Sequence, residues 1–169
     1  MKNKSLLLVL LMFSFQVIAQ GQSPEKIIIT EPKSYKDYIF SHLILIENEI
    51  KELFFIIYED STTGKAEALA QKDKALEAAN NSIITLKTLQ PIDPDFELKN
   101  ASIRLISFHK YVLEKSYTEF INIIYSENPD LHRLDYIFEH ITVDEEYFDS
   151  ALKVALDSFK SHYDISIFD

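Results

Sequence analysis

The sequence predicts an all-α protein, an up-down-up-down four-helix bundle preceded by a signal peptide and a short extended lead. Three observations carry that prediction. Proline and glycine, costly inside helices, are confined to a few places and leave four long uninterrupted segments. Within those segments apolar residues recur at spacings of three, four and seven, the period of a helix face. The one strand-like run, Ile27-Ile28-Ile29-Thr30, is short and lies between Pro24 and Pro32, so it reads as a lead lying on the bundle. Long helices joined by short turns favour antiparallel neighbours.

The N-terminus reads as an export signal. Lys2 and Lys4 precede the apolar stretch from Leu6 to Phe15, broken only by Ser14. Val17-Ile18-Ala19 then fits a small-residue cleavage site, with Gln20 as the first mature residue. No later stretch approaches the ~18 consecutive apolar residues that a spanning helix requires. The chain thus divides into a signal peptide over 1–19, a lead over 20–33 and a bundle over 34–169. The expected location is outside the cytoplasm, periplasmic or secreted, with no integral membrane segment after cleavage.

Helix by helix, the first segment is expected from Ser34 to Tyr58, with the seam Ile39, Leu43, Ile46, Ile50, Leu53 and Ile57. The second, Lys65 to Leu89, is rich in alanine. Leu69, Leu76 and Ile83 recur in it every seven residues, with Ala79 and Leu86 between them. The third is expected to open with Asp93 as N-cap and Pro94 at the first helical position. Its two stripes run through Leu98, Leu105 and Val112, and through Ile103, Ile106, Leu113, Tyr117, Phe120 and Ile124. The fourth is expected to begin near Asn128-Pro129. Its seam is Leu134, Phe138, Ile141, Glu145, Phe148, Leu152, Ala155, Phe159 and His162.

Composition excludes several kinds of chemistry. There is no cysteine, hence no disulfide, thiolate metal site, thiol nucleophile or cysteine-borne lipid anchor. Both methionines, Met1 and Met12, leave with the signal. The chain carries 27 acidic and 17 basic residues; without Lys2 and Lys4 the balance is 27 to 15, a net charge of −12. A field of that sign repels nucleic acid and anionic head groups, so no nucleic-acid partner is expected. With Gly21 and Gly64 as the only glycines, neither a glycine-rich phosphate loop nor a Gly-x-Ser-x-Gly elbow can form. A di-metal bundle site needs Glu-x-x-His on two helices. The residues three before the five histidines are Ile39, Ile106, Pro129, Ile137 and Phe159. No catalytic residue, metal ligand set or cofactor is therefore expected.

Polar residues on apolar seams remain. His109 lies between Leu105 and Val112, and Glu145 between Ile141 and Phe148. Counted from the turn at Asn128, they lie about 28 and 26 Å along their helices at 1.5 Å per residue. They are expected to meet as a buried polar pair, with Asn80 near the same level. Such a pair fixes helix register or, as the alternative, helps hold a metal or small ligand in the bundle core. His140 and Asp144, four residues apart, are a weaker cation pair. Helix 1 has a surplus: Tyr38 to Tyr58 contains 14 apolar residues in 21, where a bundle face needs about nine. Phe40, Ile44, Phe54 and Phe55 are the candidate interaction face, to be covered by the lead, a homodimer partner or another protein.

The run from Ile83 to Leu89, then Pro91, Asp93 and Phe96, then Phe108-His109-Lys110-Tyr111 and Tyr117, and finally Phe148 and Phe159, resembles a pattern in an uncharacterised family of small exported bacterial helical-bundle proteins. The resemblance spans about Ser34 to Tyr163. It implies a helical bundle at the surface or in the periplasm and brings no catalytic residues. The expected function is non-enzymatic, exerted through binding or assembly.

Export should remove Met1 to Ala19. Intact-mass measurement on protein from the native host should give a chain beginning at Gln20, and retention of those residues would refute the cleavage.

Overall fold

The computed structural model describes residues 25–58, 64–93 and 97–165. The expected signal peptide, the polar turn from Asp60 to Thr63 and the expected helical position of Pro94 lie outside them. The described residues form an all-helical bundle of four rods, the third interrupted once: α1 Pro32–Tyr58, α2 Lys65–Thr88, α3 Leu98–Glu114 continued by α4 Ser116–Ile124, and α5 Leu131–His162. No helix among the described residues is long and apolar enough to cross a membrane.

Capping explains where the helices begin, and it shifts two expected starts. α1 opens at Pro32, two residues before the expected Ser34. Proline at the first position gives up a backbone N–H that would be unpaired anyway. The Glu31 carboxylate accepts from the backbone N–H of Lys33 and of Ser34; the Ser34 side chain first, then the Ser34 backbone and more weakly that of Lys33, hold it below the ordinary carboxylate range. α5 opens at Leu131 rather than near Asn128-Pro129, because Asp130 Oδ1 accepts from Arg133 N at 3.0 Å. In α2, the Glu67 side chain reaches back to the N–H of Gly64 at 3.1 Å. α3 opens at Leu98 with Glu97 in the N-cap position, not the expected Asp93, and no side-chain hydrogen bond caps it.

The break at Lys115 has no proline or glycine to announce it. Lys115 (φ −111°, ψ −71°) stays in the right-handed helical region but off the usual helix angles. Thr118 Oγ1 lies 3.3 Å from the carbonyl of Leu113 and 3.2 Å from that of Glu114. A hydroxyl drawn into the helical ladder is a recognised cause of a kink. Lys72 Nζ donates to the same hydroxyl at 3.2 Å.

The core gathers around α3, which packs on α1, α2 and α5, while α4 lies against α2 and α5. The α1 seam is buried at Ile39, Leu43, Ile46 and Leu53. In α2 the expected heptad of Leu69, Leu76 and Ile83 is a flank, only partly buried. The centre of its buried face is Ala68, Ala75, Ala79, Ser82 and Leu86. Small residues there let α2 approach its neighbours closely, which leaves the larger side chains at the edges. At the end of α5, His162 is exposed, not on the buried seam.

α1 and α5 meet through large rings. Tyr35 stacks on Phe159 at 5.9 Å toward one end, and Phe54 lies 5.8 Å from Phe138 toward the other. Phe54 also meets Tyr117 and Phe120 edge-on. The lead is fastened by one parallel bridge to the α2–α3 turn. Ile27 N–H donates to the Thr88 carbonyl at 3.1 Å, and Gln90 N–H donates to the Ile27 carbonyl at 2.8 Å. Ile27 and Ile29 pack against the core, while Ile28 faces solvent.

Leu86→Ala should lower unfolding stability by about 2–5 kcal/mol, the range for truncating a fully buried leucine. Leu76→Ala, on the partly buried flank, should cost distinctly less in the same denaturant titration. The reverse order would overturn the assignment of α2's central face.

Candidate functional site

His109 projects from α3 into the space between α1 and α5 and is 8% exposed. Its Nε2 stands 3.7 Å from Glu145 Oε1 on α5, which is ion-pair range rather than hydrogen-bonding distance. The structure thus brings together the two residues singled out on the seams of their helices. One turn along the same interface, Phe108 stacks on Phe148 at 5.0 Å and sets the spacing of α3 and α5. Glu145 is half-buried, while Glu47 of α1 and Asp149 of α5 stand nearby with exposed side chains.

Burial dominates the electrostatics of the pair. Desolvation lowers the His109 pKa below 6.5, against the opposing pull of Asp149 and Glu47. Desolvation also raises the Glu145 carboxyl, and there Asp149 and Glu47 add to the shift. Both partners are pushed toward their neutral forms. Tyr117 on α4 is raised in turn, by burial first and then by the Glu145 charge. At 3.7 Å the arrangement holds α3 and α5 at one level through a close polar contact. Among the described residues, no group of three His, Cys, Asp or Glu side chains stands where it could hold a metal ion.

Other buried polar contacts were not evident in the sequence. His42 Nδ1 lies 3.1 Å from Ser82 Oγ between α1 and α2, and burial lowers its pKa. Gln71 Nε2 donates to the Glu49 carbonyl at 3.0 Å and to Glu49 Oε2 at 2.8 Å, while Lys74 reaches the same carboxylate at 3.0 Å. Lys72 bridges Asp73 at 2.9 Å and the Thr118 hydroxyl. Gln71 and Lys72 look like ordinary surface positions in a helical sequence; only the close approach of α1 and α4 buries them. His140 pairs with the Tyr136 carbonyl at 2.8 Å, its ring against the Tyr136 ring, rather than with Asp144.

The four residues expected to form an interaction face on α1 separate. Phe40 and Phe54 are partly buried and pack against the core. Ile44 and Phe55 are exposed, and the lead, tied to the α2–α3 turn, leaves them so. The most exposed of the large apolar side chains of α5, Tyr147 and Val154, lie elsewhere. Two open hollows between α3 and α5, of about 550 and 610 Å³, share Arg104 and Tyr147.

No protein family, curated protein or solved structure matches the chain.

His109 gives a signed pH dependence. A histidine whose folded pKa is depressed stabilises the fold fully above pH 6.5 and loses that contribution as pH falls through 6.5 toward the lowered value. Wild type should therefore lose stability relative to His109→Leu as pH falls through 6.5 toward the lowered value. Glu145, with its raised pKa, has the opposite sign: wild type should gain on Glu145→Gln as pH falls through the raised value. Denaturant titrations at a series of pH values check both, and wild type gaining on His109→Leu on acidification would refute the burial argument.

Proposed function

We propose that this protein is an exported, non-enzymatic helical bundle that acts by binding another macromolecule. The observation that carries the reading is the line of exposed apolar side chains on α5 beside the α3–α5 groove, where Tyr147 and Val154 stand in solvent. Large apolar side chains left in solvent beside an open groove are the kind of surface that a partner covers. Two further considerations support it. The buried polar groups at the candidate site and between α1 and α2 face one another, as groups that fix packing do. The positively charged start, apolar core and Val17-Ile18-Ala19 favour export.

Fractionation of the native host, followed by native mass measurement of the exported protein, tests this reading. The protein should be found outside the cytoplasm in an assembly heavier than one chain. A cytoplasmic location, or a lone monomer at its natural concentration, would overturn it.

A further inference from the structure

The lead is held to the bundle at one point. Its side chains alternate: Lys26, Ile28 and Thr30 are exposed, while Ile27 and Ile29 are half-buried against the core. That is the two-residue period of a strand with one face down. Among the described residues, the two bonds of Ile27, to the Thr88 carbonyl and from the Gln90 N–H, are the only main-chain bonds joining the lead to the turn. Two hydrogen bonds and two half-buried side chains must offset the entropy of ordering Glu25 to Thr30. α1, by contrast, buries Tyr35, Ile39, Leu43, Ile46 and Leu53.

What lies beneath the lead is held in place without it. Thr88 supplies one of the last carbonyls of α2, which has no partner inside the helix. Leu89 is extended (φ −65°, ψ 122°), its N–H donating to the Leu86 carbonyl at 3.2 Å and its own carbonyl accepting from Lys99 Nζ at 2.9 Å. Its side chain is completely buried. The Thr88 carbonyl and the Gln90 N–H therefore stand side by side toward the lead, as the edge of a strand offers them. Both residues are half-buried, so water can take the place of Ile27 at their polar groups. The far end of the lead is independent as well. The bonds that start α1 run from Lys33 and Ser34 to the Glu31 carboxylate and do not involve the turn.

We infer that the lead is a detachable strap: it lifts from the α2–α3 turn as a unit while the bundle stays folded, and so bares a preformed acceptor for an extended segment. The segment that fits runs parallel to Leu89 and sets branched apolar side chains two residues apart, as Ile27 and Ile29 do. Strand addition of this kind takes its affinity from main-chain bonds and its selectivity from alternate side chains. The lead is the built-in occupant, and a second such segment binds only the fraction of molecules whose lead is away. The acceptor shares no residue with the α5 surface that carries the proposed binding function, and either can fail without the other.

Amide hydrogen exchange on the mature chain tests the strap, and a free peptide of sequence Glu25 to Glu31 tests the acceptor. The Ile27 and Gln90 amides should exchange at least about tenfold faster than those of Leu105 and Ile106 in α3, and with little dependence on denaturant, because a strap exposes little surface as it opens. The double variant Ile27→Asp, Ile29→Asp removes the apolar contacts of the lead. By fluorescence anisotropy it should bind the peptide at least about tenfold more tightly than wild type does. The milder Ile27→Pro, which removes the donor to Thr88 and keeps an apolar side chain, should act in the same direction, so the test stands even where the double variant fails to fold. N-methylation of the peptide nitrogen that corresponds to Ile27 should abolish binding, since the Thr88 carbonyl then meets no donor. Ile27 and Gln90 amides that exchange only with global unfolding would overturn the strap. A peptide bound equally by wild type and variants, bound by neither, or bound regardless of N-methylation would overturn the acceptor.

Discussion

Helix α3 is the pillar on which the other elements lean. Nine of its 17 residues are buried, on faces that meet α1, α2 and α5. Leu98, Leu105, Ile106, Val112 and Leu113 supply a continuous apolar surface, and burial of such surface is the main favourable term in a chain with no cysteine to cross-link it. Everything else is arranged around this contact. α2 approaches through alanines, α5 through the Phe108–Phe148 stack, and α1 is kept in place beyond α3 by rings that reach across to α5.

Placing α3 at the centre also explains the polar pair. A residue on the side of α3 facing the gap between α1 and α5 cannot escape to solvent, so His109 is buried whatever its chemistry. A phenylalanine there would lie beside Glu47, Glu145 and Asp149 from two other helices. An imidazole meets those carboxylates while remaining neutral, since burial outweighs their pull on its proton. The gain is in register rather than in energy: an ionisable pair at one level penalises any slip of α3 against α5, as a single polar position does in a coiled coil.

The helices and the His109–Glu145 approach were legible because both depend on local periodicity and on the rise per residue. What escaped the sequence depends on how near the helices come. Leu69, Leu76 and Ile83 have the stronger hydrophobic signal, yet close packing gives the centre of α2 to Ala68, Ala75 and Ala79. Phe40 and Phe54 look surplus on a single helix, but Phe40 packs against the core and Phe54 meets rings of α4 and α5. The interruption at Lys115 follows from a threonine hydroxyl and a buried lysine from another helix, which no local signal encodes. Tyr136, Val143, Tyr147 and Val154 were visible as residues, but that they stay outside is seen only once the inner face of α5 is known to be buried.

α5 is fastened unevenly. Its buried residues fall into two groups, Leu134 to Ile141 and Leu152 to Phe159. Between them only Glu145, Phe148 and Ala151 are half-buried, among exposed neighbours. A helix normally loosens from its ends inward, where hydrogen bonds are missing. Here the least anchored contacts sit at mid-length, so the free energy for opening side-chain packing should have a local minimum around the polar pair. The helix resembles a beam held near both ends, and a load applied to its outer face at Tyr147 would bear on its most yielding part.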